Sequence, residues 1–309
     1  MTKKNKFIAI IISIFISVLL IEILLRINGI GSNNVLYYPS NFYGYYQVPD
    51  QKLNRRGNSI SLDKYGNRNP EKNTLENSSL FFLGDSVTYG GSVVSDNETF
   101  SYLVAKKMNL NYLNISSNGW GIPNIINFIE FNNLYKKDST YVLTCINDCY
   151  HRNIRKIEQN FFASKTDFMA ISILYRYAIF KILNKSYSSD KQIISEKADN
   201  LKTAELSVNL LNDFKKKLES MNSKLILIHS PNKQRMKDLI IKEKIYEEYS
   251  RETILKILSK SKLEIIQITD YFNEKEIENF AHFFVDSVHL NKKGHEIYAN
   301  IMYKLLNES

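Results

Sequence analysis

Cysteine is nearly absent from this 309-residue chain, which has only Cys145 and Cys149 beside one tryptophan, five prolines and 11 glycines. No Cys-x-x-Cys pair and no Cys/His spacing is present to hold zinc or to carry redox chemistry, and neither a metal nor an organic cofactor is expected. The two thiols stand four residues apart at the end of an apolar run. They meet as a disulfide only if the chain turns back after Asn147; otherwise they are a buried strand thiol and a loop thiol. No internal repeat or low-complexity block stands out. The net charge of +9, from 41 Lys and Arg against 32 Asp and Glu, has no recognised nucleic-acid motif beside it. Its lysines are scattered, or, like Lys215-Lys216-Lys217, sit in an amphipathic helical pattern that reads as a solvated face. The charge suits an anionic surface such as a membrane or an acidic glycan and says little about substrate; nucleic acid is not an expected partner.

One long apolar run is what the chain does have. Lys3, Lys4 and Lys6 precede residues 7–25, a stretch of 19 mainly apolar residues. As a helix at ~1.5 Å per residue it reaches about 28 Å, enough to cross the hydrocarbon core. The cationic flank puts the N-terminus in the cytoplasm and the rest of the chain outside. A cleaved signal peptide begins in the same way. Here, however, the run is long, and Arg26-Ile27-Asn28-Gly29-Ile30-Gly31-Ser32 offers no Ala-x-Ala-like cleavage site, so an uncleaved, single-pass cell-membrane anchor over residues 1–26 is expected. Glu22 is tolerable near the outer end because its charge can reach the interface.

Residues 27–79 read as a polar, Tyr- and Asn-rich connector with turns at Tyr65-Gly66-Asn67 and Asn69-Pro70, either covering the domain or spacing it from the bilayer. From residue 80 to 309 apolar runs alternate with helical patterns. Strands are expected at 80–83, 112–114, 140–146, 224–229 and 263–268, and helices at 98–108, 123–137, 201–221, 237–260 and 292–307. This alternation implies an α/β domain, three-layer and flavodoxin-like, with a central parallel sheet and right-handed crossovers. The ends of its first and third strands would then lie side by side at the switch point. Residues 150–200 interrupt the pattern with an apolar, partly helical insertion that includes Phe168, Met169, Ile171, Ile173, Leu174 and Tyr175. It reads as a lid, as a surface resting on the membrane, or as an extra core helix.

Four short segments carry the chemistry. Gly84-Asp85-Ser86 ends the apolar run Leu80-Phe81-Phe82-Leu83, so Ser86 would face the crevice outside the carboxyl ends of the strands, with turn N–H groups free to hold negative charge. Asp286-Ser287-Val288-His289 follows Phe283-Phe284-Val285 and precedes the last helix. Asp286 can orient one imidazole nitrogen of His289 while the other receives the Ser86 proton, the division of labour of a Ser-His-Asp triad. His151, His229, His282 and His295 are set aside as the base. In Ser116-Ser117-Asn118-Gly119-Trp120-Gly121 the glycines let a backbone N–H approach a ligand, and Asn147, after the third strand, brings a side-chain amide to the same edge. The ordinary α/β-hydrolase elbow is excluded because Thr88 stands where its second glycine is needed.

In this order the four segments resemble the SGNH (GDSL-type) hydrolase family over residues 80–306. The resemblance implies Ser86 as nucleophile, Asp286 and His289 as its partners, and an oxyanion hole made by the Ser86 and Gly119 N–H groups with the Asn147 side chain. Two departures are visible: Cys145 stands where the family usually has glycine, and the stretch from Asp148 to Lys224 holds no family motif. The implied activity is hydrolysis of acyl esters, O-acetyl esters above all, on a cell-envelope or exported polysaccharide. An O-acyltransferase that delivers the acyl group to a glycan hydroxyl is the alternative, and a non-catalytic glycan-binding protein a further one.

Overall fold

The computed structural model describes residues 2–28, 34–154 apart from 56, 169–175, 190–231 and 263–308, together with a few isolated positions. The side chains of 147, 148 and 190–201 are not among them. Helix α1 (Lys3–Ile27) starts at Thr2, whose hydroxyl accepts the Asn5 N–H at 3.3 Å, and none of its residues is buried. With a mean hydropathy of 3.0 it is long and apolar enough to cross a membrane. Val18, Glu22 and Leu25 are intermediate in exposure and the other residues along it are exposed.

The domain is built on five parallel strands: β5 (Leu80–Gly84), β6 (Tyr112–Ser116), β7 (Thr140–Cys145), β8 (Lys224–His229) and β9 (Ile265–Gln267). Their order is β6-β5-β7-β8-β9. Numbered from β5 this is 2-1-3-4-5, the flavodoxin-like arrangement. Successive side chains of a strand point to opposite faces, and a sheet covered on both sides therefore needs near-continuous apolar strands. Phe81, Leu83, Leu113, Tyr141 and Leu143 pack on one side with α4 (Ile122–Phe131) and α5 (Asp190–Ser220). Leu80, Phe82, Tyr112, Val142 and Ile228 pack on the other with α3 (Phe100–Met108) and α7 (Lys292–Glu308). These are the expected three layers. Between the last strand and α7 lies the short α6 (Glu274–Glu278).

Element boundaries differ from the sequence reading where a local signal was overridden. Helix α4 stops at Phe131 rather than 137, because Asn133 turns to a positive φ of 50°. Helix α5 begins at Asp190, ahead of the expected 201. The helix expected over 237–260 and about half of the 150–200 insertion lie outside the described residues.

The stretch read as a connector is not a bare spacer. It forms two hairpins, β1 (Tyr37–Ser40) with β2 (Gly44–Gln47) and β3 (Lys52–Arg55) with β4 (Asn58–Ser61). Val35, Tyr37, Tyr43, Tyr45, Ile60 and Leu62 are buried in the same core as Trp120 and Phe128. Tyrosine supplies a large apolar ring while its hydroxyl finds a partner: Tyr45 Oη donates to the Asn118 carbonyl at 2.5 Å, and the Trp120 indole N–H donates back to the Tyr45 carbonyl at 3.0 Å. Arg68 joins hairpin to body. Its Nε donates to Asp96 Oδ1, Nη1 to the carbonyls of Tyr89 and Gly91, and Nη2 to those of Ser59 and Val94. All five N–H groups of the buried guanidinium are thereby used.

Candidate active site

Strand β5 lies between β6 and β7, with Gly84 level with Ser116 on one side and Thr144 on the other. The three loops that follow these strands therefore leave the sheet at one edge, and the register alone brings the turns at 85–86, 117–121 and 145–149 together. Gly84 has no room for a side chain, since a Cβ there would lie 2.2 Å from Thr88 Oγ1 and 2.4 Å from the Thr144 carbonyl oxygen. That close approach lets the chain turn at once into α2 (Ser86–Tyr89), a single helical turn. Asp85 caps it, its Oδ1 accepting the Val87 N–H at 2.9 Å, and Gly90 ends it at φ 78°. Ser86 is then the first residue of the turn, where backbone N–H groups have no intrahelical partner.

The other half of the site comes from the far end of the chain. The Val285 N–H donates to the His289 carbonyl at 2.9 Å, and Phe284 bridges Leu290, closing a tight loop. Within it Asp286 Oδ1 accepts the N–H groups of Val288 at 2.9 Å and His289 at 2.8 Å, leaving Oδ2 to face His289 Nδ1 at 2.7 Å. His289 Nε2 lies 2.9 Å from Ser86 Oγ, a contact made across 203 residues of sequence. With Nδ1 protonated and held by Asp286, Nε2 is the acceptor for the Ser86 hydroxyl. Ser86 is buried, whereas Asp286 and His289 are partly open to solvent, so the nucleophile side of the pair is the dry side. Partial burial acts to raise the Asp286 carboxyl, but the backbone N–H groups of His289 and Val288 and the His289 ring outweigh it and hold the pKa below the ordinary aspartate value. The carboxylate form that orients the His289 ring is thereby favoured.

Gly119 adopts φ 78°, a left-handed conformation that glycine takes without strain, in the turn between β6 and α4. Its N–H makes no hydrogen bond among the described residues. Asn147 opens the 3-10 turn Asn147–His151 at the end of β7; its backbone is at the same sheet edge, and its side chain lies outside the described residues. Cys145 and Cys149 are joined as a disulfide across this turn with their Cα atoms 5.8 Å apart. His151 also has an aspartate three residues before it, Asp148, so Asp-x-x-His spacing does not by itself single out a base. Position does, because it is the His289 ring that meets Ser86.

Sequence reasoning missed Arg152. Its guanidinium, one-tenth exposed, lies 3.2 Å from the fully buried Asp85 Oδ2 and donates to the Trp120 carbonyl at 2.9 Å. It thereby ties together the turn before Ser86, the turn after Gly119 and the segment after Asn147. A lone arginine in a loop carries no signal of this; only its two partners reveal it. No group of residues able to hold a metal ion occurs among the described residues.

No protein-family model matches this chain, and no curated protein is significantly similar to it. Among solved structures it is similar to a lipolytic protein of the G-D-S-L family from Veillonella parvula DSM 2008, with 15% identity over 74% of this chain and 98% of that one and a TM-score of 0.40. It is also similar to the psychrotrophic esterase EstA from Pseudoalteromonas sp., with 12% identity over 75% and 97% of the two chains and a TM-score of 0.42. An acetyl xylan esterase, AlAXEase, aligns at 14% identity over 74% and 98% with a TM-score of 0.43. The class is defined by the chain's own geometry: a three-layer α/β domain with a 2-1-3-4-5 parallel sheet and a serine, histidine and aspartate in hydrogen-bond contact at its carboxyl edge. That is the fold and the side-chain arrangement which the resemblance to the SGNH (GDSL-type) hydrolase family implies.

Proposed function

We propose that this protein is a membrane-anchored, extracytoplasmic serine esterase of the SGNH type. The observation that carries the reading is the continuous chain Ser86 Oγ, His289 Nε2, His289 Nδ1, Asp286 Oδ2, with contacts of 2.9 and 2.7 Å. Ser86 Oγ attacks the ester carbonyl carbon while its proton passes to His289 Nε2. Asp286 keeps the imidazole in the required tautomer and offsets the charge of the imidazolium. The carbonyl oxygen becomes an oxyanion held by the Ser86 and Gly119 N–H groups and the Asn147 amide, where much of the rate acceleration arises. His289 returns the proton to the departing alkoxide, and a water activated by the same nitrogen releases the acid and restores Ser86.

The substrate class we assign is an O-acyl, chiefly O-acetyl, ester on a cell-envelope or exported polysaccharide. It is supported by the resemblance of the four motifs and by the anchor, whose Lys3, Lys4 and Lys6 favour a cytoplasmic N-terminus and an external domain. The test is hydrolysis of acetyl esters, first small and then glycan-borne, by the full chain in detergent. Ser86→Ala is expected to remain folded and to lose turnover by about 10⁴-fold or more. Near-normal turnover in that variant would eliminate the triad. Release of acid only when a glycan acceptor is absent, with transfer to the acceptor when it is present, would convert the reading to an acyltransferase.

A further inference from the structure

Helix α1 is not simply a tether. Its least exposed residues, Val18, Glu22 and Leu25, are spaced by four and three and so form one stripe along its outer half. What meets Glu22 is the insertion. Glu22 Oε1 accepts the Ala170 N–H at 2.8 Å, Glu22 Oε2 accepts the Ile171 N–H at 3.1 Å, and the Arg26 Nε donates to Oε1 at 2.7 Å. Residues 171–175 are helical, so the two N–H groups belong to the start of a helical turn, where the backbone has no partner of its own.

The depth of this contact is fixed by helix geometry. Glu22 stands three residues inside the outer limit of the apolar run, at Leu25, which at ~1.5 Å per residue is about 4–5 Å. If α1 spans the bilayer, the turn at 170–171 is held just below the hydrocarbon boundary, where an unpaired carboxylate or backbone N–H is costly and where this contact pairs them all. The residues that follow suit such a place. Ala170 is fully buried and Ile171 and Ile173 half-buried, yet Met169, Leu174 and Tyr175 are left 36%, 40% and 68% exposed. An apolar face of this kind, continuous with a membrane helix, has the composition and depth of a segment lying in the headgroup–acyl boundary.

We propose that residues 169–175 form a second contact of this protein with the lipid bilayer, an interfacial segment clamped to α1 by Glu22. The proposal rests on the anchor reading and is independent of the esterase chemistry. Its effect is to hold the catalytic domain in one orientation on the membrane through two attachments.

The test is to place the full chain, as a Tyr175→Trp variant, in phosphatidylcholine–phosphatidylglycerol vesicles carrying a lipid with a nitroxide high on its acyl chain. Trp120, the single native tryptophan, is buried in the core, so the parent protein sets the baseline. Nitroxide lipid is expected to quench the added indole severalfold more than the baseline. Adding Glu22→Ala, which leaves α1 more apolar and still inserted, is expected to return quenching towards that of the parent. Flotation of the chain with the vesicles, without extra quenching in the Tyr175→Trp variant, would overturn the second contact and leave the anchor standing. Failure to float would overturn both. Quenching that Glu22→Ala leaves unchanged would overturn the clamp.

Discussion

Acidification should weaken this fold through His295. The ring is fully buried on α7, stacks at a tilt 5.6 Å from the Phe100 ring, and offers Nδ1 to the Phe100 N–H at 3.2 Å. That N–H is the first of α3 and has no intrahelical acceptor, so the contact needs an unprotonated nitrogen. Burial above all, with the Arg68 charge and interaction with the His289 ring in support, pushes the His295 pKa from 6.5 down to about 3. The unfolded chain takes up the proton below about 6.5, whereas the folded chain refuses it until about 3. Stability is therefore undiminished above that upper value and is lost progressively as pH falls through the window. The slope approaches about 1.4 kcal/mol per pH unit, so a fall of two units within the window costs about 2–3 kcal/mol. The assay is urea unfolding of the full chain in detergent between pH 7 and 4.5, for the wild type and for His295→Asn, whose Oδ1 can accept the same N–H without titrating. The stability difference between the two should shift in favour of the variant by about 2 kcal/mol as pH falls. Parallel pH profiles from two folded proteins would refute the reasoning.

Other expectations are simpler to measure. Asp286→Asn keeps the size of the side chain but removes the charge that orients His289, and should lower ester turnover by about 10⁴ at neutral pH. Because the Asp286 pKa is itself lowered, any wild-type loss of activity between pH 7 and 5 should not come from this carboxylate, and a pH–rate profile of both proteins checks this. Asn147→Ala should cost about 10²–10³ in turnover with an unaltered profile; wild-type activity there, with Asp286→Asn crippled, would remove Asn147 from the oxyanion hole. Gly84→Ala would drive a methyl group into the Thr144 carbonyl and should destabilise by about 1–3 kcal/mol or more in urea unfolding. Protease added to cells with a permeable outer barrier should remove the domain beyond α1, and full protection would reverse the orientation.

The five parallel strands were legible because a strand buried on both faces must be apolar throughout. Leu80-Phe81-Phe82-Leu83 and the run 140–145 have no other economical reading. Ser86, Asp286 and His289 were legible as motifs, and the sheet explains why they meet: the serine and the aspartate–histidine loop leave the layers at the same edge. The hairpins of 37–61 were not legible. Their buried positions include Tyr37, Tyr43, Tyr45 and Gln47, whose side-chain or backbone polar atoms are satisfied by the body of the domain, so no apolar alternation marks them. Arg68 and Arg152 were invisible for the same reason, since charged residues read as surface until their buried partners are known.

Val35 is buried in the core only eight residues after Ile27, the last residue of α1. Even fully stretched, a chain of that length covers at most about 28 Å. With the proposed topology and the proposed substrate class, the serine is confined to a shell close to the bilayer and meets its substrates in something nearer to two dimensions than three. What governs its rate is then the number of acyl groups per unit of membrane area. A glycan tethered to lipid, or passing through that shell during export, is always within reach, whereas one released into the medium is diluted beyond it.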